Sequence, residues 1–127
     1  MNVQFARKLT AALGFLGVLF GAFGAHALRA RLEAAGTAAI WEKGVLYHLV
    51  HAVALLAACR RDRVSRLTFW SFFLGVTIFS GSLYLLAVSS VRWLGAITPV
   101  GGLGMLMGWL SLMLGKDPDL KGQVMDK

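Results

Sequence analysis

The apolar residues of this chain gather into four runs free of Asp, Glu, Lys and Arg: Leu9–Leu28, Gly44–Cys59, Leu67–Val91 and Trp93–Gly115. Three of them are 20, 25 and 23 residues long, and roughly 20 apolar residues cross a bilayer as a helix. Gly44–Cys59 is shorter, but Ala38–Trp41, ahead of Glu42 and Lys43, extends it. The pattern predicts an all-α fold: a four-transmembrane-helix bundle with spans at about 9–28, 38–59, 67–91 and 93–115, forming a single integral membrane domain over 1–127. In the first connection, Gly36-Thr37 reads as a helix stop followed by an N-cap. In the fourth span, Thr98-Pro99-Val100-Gly101-Gly102 predicts an interruption, because Pro99 lacks an N–H and its ring clashes with the carbonyl one turn earlier. Asp117-Pro118-Asp119 reads as the stop beyond it.

The connections carry the charge. With four spans, nine of the 13 Lys and Arg fall on the side of the two termini and the Arg60–Arg66 loop, and four on the other side. The positive-inside rule then predicts both termini in the cytoplasm. Trp41, Trp70 and Trp93 lie near span ends, where interfacial anchors sit. Arg7-Lys8, an apolar run and Ala25-His26-Ala27 mimic a cleavable signal. The 20-residue run is longer than a signal core, so a retained first span is expected.

Composition agrees. The 127 residues are 57% hydrophobic and 15% charged, with mean hydropathy +0.69, against about half apolar and a quarter charged in a soluble domain. One cysteine, Cys59, excludes a disulfide scaffold. The net charge of +7 is accounted for by the loops, so nucleic acid is not an expected partner. The lipid bilayer is.

Lipid provides no hydrophobic drive between helices, so small residues that let backbones approach matter. Gly14, Gly17, Gly21 and Gly24 share one face of the first span, and Gly101, Gly104, Gly108, Ser111 and Gly115 recur in the fourth. These faces either build the bundle or join copies in a homo-oligomer. Another membrane protein is the other partner type compatible with them.

All three histidines fall within spans, where a histidine is a functional candidate by default. At 1.5 Å per residue, His26 lies about 4–5 Å, His48 about 7–8 Å, His51 about 12 Å, Tyr84 about 12 Å and Thr98 about 9 Å from the outer ends. Tyr47, His48 and His51 share a stripe of the second span, and Ser80 and Tyr84 one of the third. A helix broken at Pro99 needs partners for its freed backbone groups. Hence His26, Tyr47, His48, His51, Ser80, Tyr84, Thr98 and Pro99 are the candidate binding residues, with His26, His51 and Tyr84 expected to face inward near residues 98–102. They either lock the bundle or line a pocket or path for a proton, small solute or lipid. His48-x-x-His51 supplies two imidazoles but no third ligand, so no metal site is expected. Glu42 and Asp62 lie on opposite sides of the membrane, and no phosphate loop, CxxC or nucleophile elbow is present. No catalytic residue and no cofactor are expected, and the chain is read as not an enzyme.

Four motifs occur in register: Gly21-Ala22-Phe23-Gly24-Ala25-His26, Tyr47-x-x-x-His51-Ala52, Phe79-Ser80-Gly81-Ser82-Leu83-Tyr84 and Ile97-Thr98-Pro99-Val100-Gly101-Gly102. In this order they resemble domain-of-unknown-function family 423, the YgdD-like small bacterial inner-membrane proteins, to which eukaryotic transmembrane protein 256 is similar. The resemblance covers about Leu9 to Gly115. It implies a small multi-pass protein of the bacterial inner membrane without an established biochemical role. The family reads Gln where this chain has His48, so a task needing two histidines on that helix is not general to it. A non-enzymatic assembly or accessory component is the favoured reading. A minimal pocket or pathway in the outer half of the bundle is the alternative.

Overall fold

The computed structural model describes residues 1–60 and 64–115; Asp62 and the Asp117-Pro118-Asp119 stop lie outside them. Helix α1, Val3–Ala25, opens on Asn2, whose side chain accepts from the N–H groups of Gln4 and Phe5. It closes at His26, and a short helix α2, Arg29–Ala35, follows where the sequence predicts only a connection. Gly36 ends α2 with φ 67°, a left-handed conformation that glycine adopts without strain. Helix α3 runs Ala38–Ala58, with Thr37 in the capping position. The Thr37 hydroxyl does not cap it. It donates instead to the carbonyl of Ala87, at 2.8 Å. Helix α4, Arg66–Ser89, is capped by the Ser65 side chain.

The fourth apolar run differs from the expectation. A 3₁₀ turn, Arg92–Ala96, leads through Ile97 into α5, Thr98–Leu114, and Pro99 lies in the first turn of α5. A proline there loses no intrahelical bond and its fixed φ suits a helix start. The irregular backbone therefore precedes residue 98, and Gly101 and Gly102 continue a regular helix.

Among the described residues, three segments are long and apolar enough to cross a membrane: Val3–Ala25, Arg66–Ser89 and Arg92–Leu114. Helix α3 has 21 residues, but Glu42, Lys43, His48 and His51 lower its apolarity.

The helices pack in sequence. α1 lies on α3, α3 on α4, and α4 on α5, while α2 covers one end of α3 and α4. Two apolar clusters result. Leu32, Trp41, Tyr84 and Ala87 form one beneath α2. Leu13, Leu55, Phe69, Phe72, Val76 and Met105 anchor the other, toward the opposite end.

Glycine sets the closest approaches. At the α4–α5 seam a Cβ on Gly75 would stand 2.6 Å from the Met105 nitrogen, and one on Gly101 would strike the Phe79 nitrogen. Gly104 faces Gly75, and Gly108 faces the Phe72 ring. At the α1–α3 seam Gly17 meets Leu49 and His48, Gly21 meets Val45, and Gly24 meets the Trp41 ring. Gly14 meets nothing within 4 Å. Gly75→Ala is therefore expected to lower stability by about 1–3 kcal/mol, since backbone opposes backbone and neither gives. Gly14→Ala is expected to be neutral. Thermal unfolding in mild detergent distinguishes the two, and equal midpoints would remove the seam from this account.

Candidate functional site

Between the two apolar clusters lies a layer of polar side chains, and each has found a partner. His48 is buried on α3. One ring nitrogen, Nε2, sits 2.8 Å from the carbonyl oxygen of Leu13 on α1, and Nδ1 sits 3.0 Å from the hydroxyl of Tyr84 on α4. A carbonyl only accepts, so Nε2 carries the proton and Nδ1 accepts from Tyr84. The ring bridges three helices. A Gln at this position would offer the same pair: an amide N–H for the carbonyl and an amide oxygen for the hydroxyl.

His51 has the opposite tautomer. Its Nδ1 donates to the Tyr47 carbonyl at 2.8 Å, and its Nε2 accepts from the indole N–H of Trp109 on α5 at 3.1 Å. Both patterns are those of a neutral imidazole with no nitrogen to spare. Ser80 donates to the Gly44 carbonyl at 2.7 Å. Ser82 and Thr98 share a 2.7 Å bond that ties α4 to the start of α5, and Thr68 and Ser111 share another toward the far end. Tyr47 stacks near the His51 ring and against Phe79, and remains 39% exposed.

The structure thus joins His48, Tyr84 and Ser80 around α3, and His51 with Tyr47 and Trp109 on another side of it. It does not gather His26, His51 and Tyr84 at residues 98–102. His26 and Pro99 are exposed. With Pro99 opening a helix rather than breaking one, no freed carbonyl required the histidines. Their acceptors are the carbonyls of intact helices. Trp41, expected as an interfacial anchor, is 5% exposed and donates to the Phe20 carbonyl at 2.9 Å. Trp109 escaped the sequence reading. Its signal was position: Trp109 lies six residues inside the end of its apolar run, about 9 Å at 1.5 Å per residue, where lipid cannot satisfy an N–H.

Among the described residues no buried side-chain nitrogen or oxygen lacks a partner, and no three His, Cys, Asp or Glu gather as a metal would require. One cavity of about 270 Å³ opens between α1 and α4, which both lean on α3. His48, Thr77, Ser80 and Tyr84 are among its lining residues, and the surface they and their neighbours present to it is almost wholly apolar.

Apolar outer faces around an internally satisfied polar layer define a helical membrane protein. The chain belongs to the family described as "Protein of unknown function (DUF423)", whose model matches residues 20–102. It is 38% identical over 120 residues to the UPF0382 inner membrane protein YgdD of Escherichia coli, covering 91% of each chain. It is 41% identical over 99 residues to a UPF0382 membrane protein of Staphylococcus saprophyticus, covering 75% of this chain and 82% of that one. It is 38% identical over 105 residues to the UPF0382 membrane protein YwdK of Bacillus subtilis, covering 78% and 85%. None of these names is that of an enzyme. No solved structure matches the chain.

His48→Gln is expected to preserve thermal stability, because both bonds are remade. His48→Leu is expected to cost about 1–3 kcal/mol by stranding the Tyr84 hydroxyl. Unfolding midpoints in detergent check this, and a His48→Gln loss as large as that of His48→Leu would show that the imidazole does more than bridge.

Proposed function

We infer that the chain crosses the inner membrane four times, with both termini cytoplasmic, and serves there as a non-enzymatic assembly or accessory component. Four crossings are supported by α3 itself. Its 21 residues reach about 31 Å at 1.5 Å each, the thickness of the hydrocarbon core. It lies between α1 and α4, its histidines are buried, and Glu42 and Lys43 stand near its first end. The orientation rests on the nine-to-four division of Lys and Arg.

The accessory role rests on one observation: the buried polar groups among the described residues are committed to bonds within the chain. His51, the deepest histidine, has both nitrogens engaged, so a proton path or polar-solute pocket in the outer half would have to break bonds the fold uses. Gly17, Gly21 and Gly24 of α1 and Gly101, Gly104 and Gly108 of α5 are covered by α3 and α4, which favours another membrane protein as partner over a homo-oligomer built on those contacts.

Two measurements test this. A cysteine at Ser65, with Cys59 replaced, is expected to resist membrane-impermeant thiol reagents in intact cells, while one at Ala34 on α2 labels readily. Ready labelling at Ser65 would overturn the orientation. Native mass spectrometry of the protein extracted from its own membrane at natural abundance is expected to show a stoichiometric protein partner. A chain that emerges alone under extraction that preserves known complexes would overturn the accessory role.

A further inference from the structure

We propose that the groove between α1 and α4 holds one acyl chain of an anionic phospholipid, whose phosphate lies against Arg7, Lys8 and Arg66. The argument begins with shape. The groove is bounded by Leu9 to Phe20 on α1 and by Phe73 to Tyr84 on α4. Eleven residue steps on either helix give a length of about 16 Å. A volume of about 270 Å³ is a small fraction of the roughly 1,250 Å³ that a helix of about 10 Å diameter would fill over that length, and suits a slender chain such as an acyl tail. The groove is too narrow for a second copy or a partner helix and too apolar for a polar solute.

A glycine supports the fit independently. The other glycines of α4 and α5 face a neighbouring helix or ring, but a Cβ on Gly81 would meet nothing within 4 Å, and Gly81 lines the groove. Nothing inside the chain uses the space it leaves. The hydroxyls of Thr77, Ser80 and Tyr84 and the ring of His48 in its lining are turned to internal bonds, so the groove presents carbon to the chain lying in it.

Charge fixes which lipid. The groove ends at Leu9, directly after Arg7 and Lys8, and α4 begins at Arg66 on the same end of the bundle. All three are exposed, although the Arg7 Nε already donates to the Cys59 carbonyl. Glu33 and Glu42, the acidic side chains of the described residues, stand at the other end. Because bulk lipid is as apolar as the groove, burial alone does not favour this site. Selectivity comes from the narrow fit and from the cations, each contributing about 1 kcal/mol toward an anionic headgroup near the surface. The inference needs the bundle to sit in a bilayer but is independent of the accessory role.

The test is native mass spectrometry of the full chain in mild detergent, offered phosphatidylglycerol or phosphatidylcholine of identical acyl chains. One phosphatidylglycerol is expected to be retained in preference to phosphatidylcholine. Lys8→Gln or Arg66→Gln is expected to lower that retention about fivefold, the equivalent of 1 kcal/mol. Gly81→Phe fills the groove and is expected to lower it about tenfold or more, whereas Gly14→Phe, in open space outside the groove, leaves it unchanged. Ala12→Leu repeats the occlusion from α1 should Gly81→Phe fail to fold. Equal retention of the two lipids, or retention indifferent to both Gly81→Phe and Ala12→Leu, overturns the proposal. So does a dimer that these two substitutions dissociate, which would make the groove a contact between copies.

Discussion

In hydrocarbon a helix satisfies every interior N–H, but each of its carbonyl oxygens keeps a second lone pair. This chain fastens its helices through those spare lone pairs at Leu13, Phe20 and Gly44, and through helix-end carbonyls that have no helical partner at Ala87, Val88 and Cys59. His48 donates to Leu13 and Trp41 to Phe20, joining α3 to α1. Ser80 donates to Gly44, and Thr37 to Ala87, joining α4 and α3. Arg7 reaches the Cys59 carbonyl at one end, and Arg31 of α2 reaches Val88 at the other. No helix has to break to provide an acceptor, which is why the structure tolerates polar side chains at membrane depth without irregular backbone around them.

That device gives two of the glycines a specific task. A side chain on a helix leans toward its N-terminus, so the Cβ of residue i+4 shields the carbonyl of residue i. Leu13 and Phe20 are the acceptors on α1, and the residues four further on are Gly17 and Gly24. A Cβ at Gly17 would press on Leu49 and the His48 ring, and one at Gly24 would overlap the Trp41 indole. The α1 glycine face is thus more than a smooth packing surface. It uncovers the two carbonyls to which α3 is tied. The α5 glycines work differently. They bring backbone to backbone against Gly75 and Phe79 and leave the polar bonds to Ser82–Thr98, Thr68–Ser111 and Trp109–His51.

The helices were legible because span length and loop charge are properties of composition, summed over twenty residues at a time. So were the glycine contacts at Gly17, Gly21, Gly24, Gly101, Gly104 and Gly108, which follow from helical spacing alone. The partners were not legible. Spacing along one helix says which side chains share a face but not which residue of another helix stands opposite. Depth measured from the nearest charge placed His51 and Tyr84 together, yet they bond to different neighbours on different sides of α3. Pro99 misled for a related reason. Its effect depends on whether it falls inside a helix or in its first turn, and Trp93–Gly115 contains no charge to mark where the 3₁₀ turn gives way to α5. Helix α2 was missed because seven residues with one buried apolar side chain, Leu32, carry too little periodicity to stand out.

The same fastening explains the opening between α1 and α4. Apart from Arg7 at its start, α1 contributes acceptors rather than donors to its neighbours, since its one span hydroxyl, Thr10, bonds back to Ala6 in its own helix. Helix α1 is therefore held where donors reach it, and those donors, His48, Trp41 and the Cys59 thiol, come from α3 and its C-cap. On α4 the donors that face this region are already engaged: Ser80 with Gly44, Tyr84 with His48, and Thr77 with Phe73 in its own helix. Nothing polar draws α1 and α4 together, and in lipid no hydrophobic force does so either. The cleft between them is left to whatever apolar chain the bilayer provides. The satisfied polar layer that leaves the interior without free chemistry is thus also what leaves this side of the bundle open to lipid.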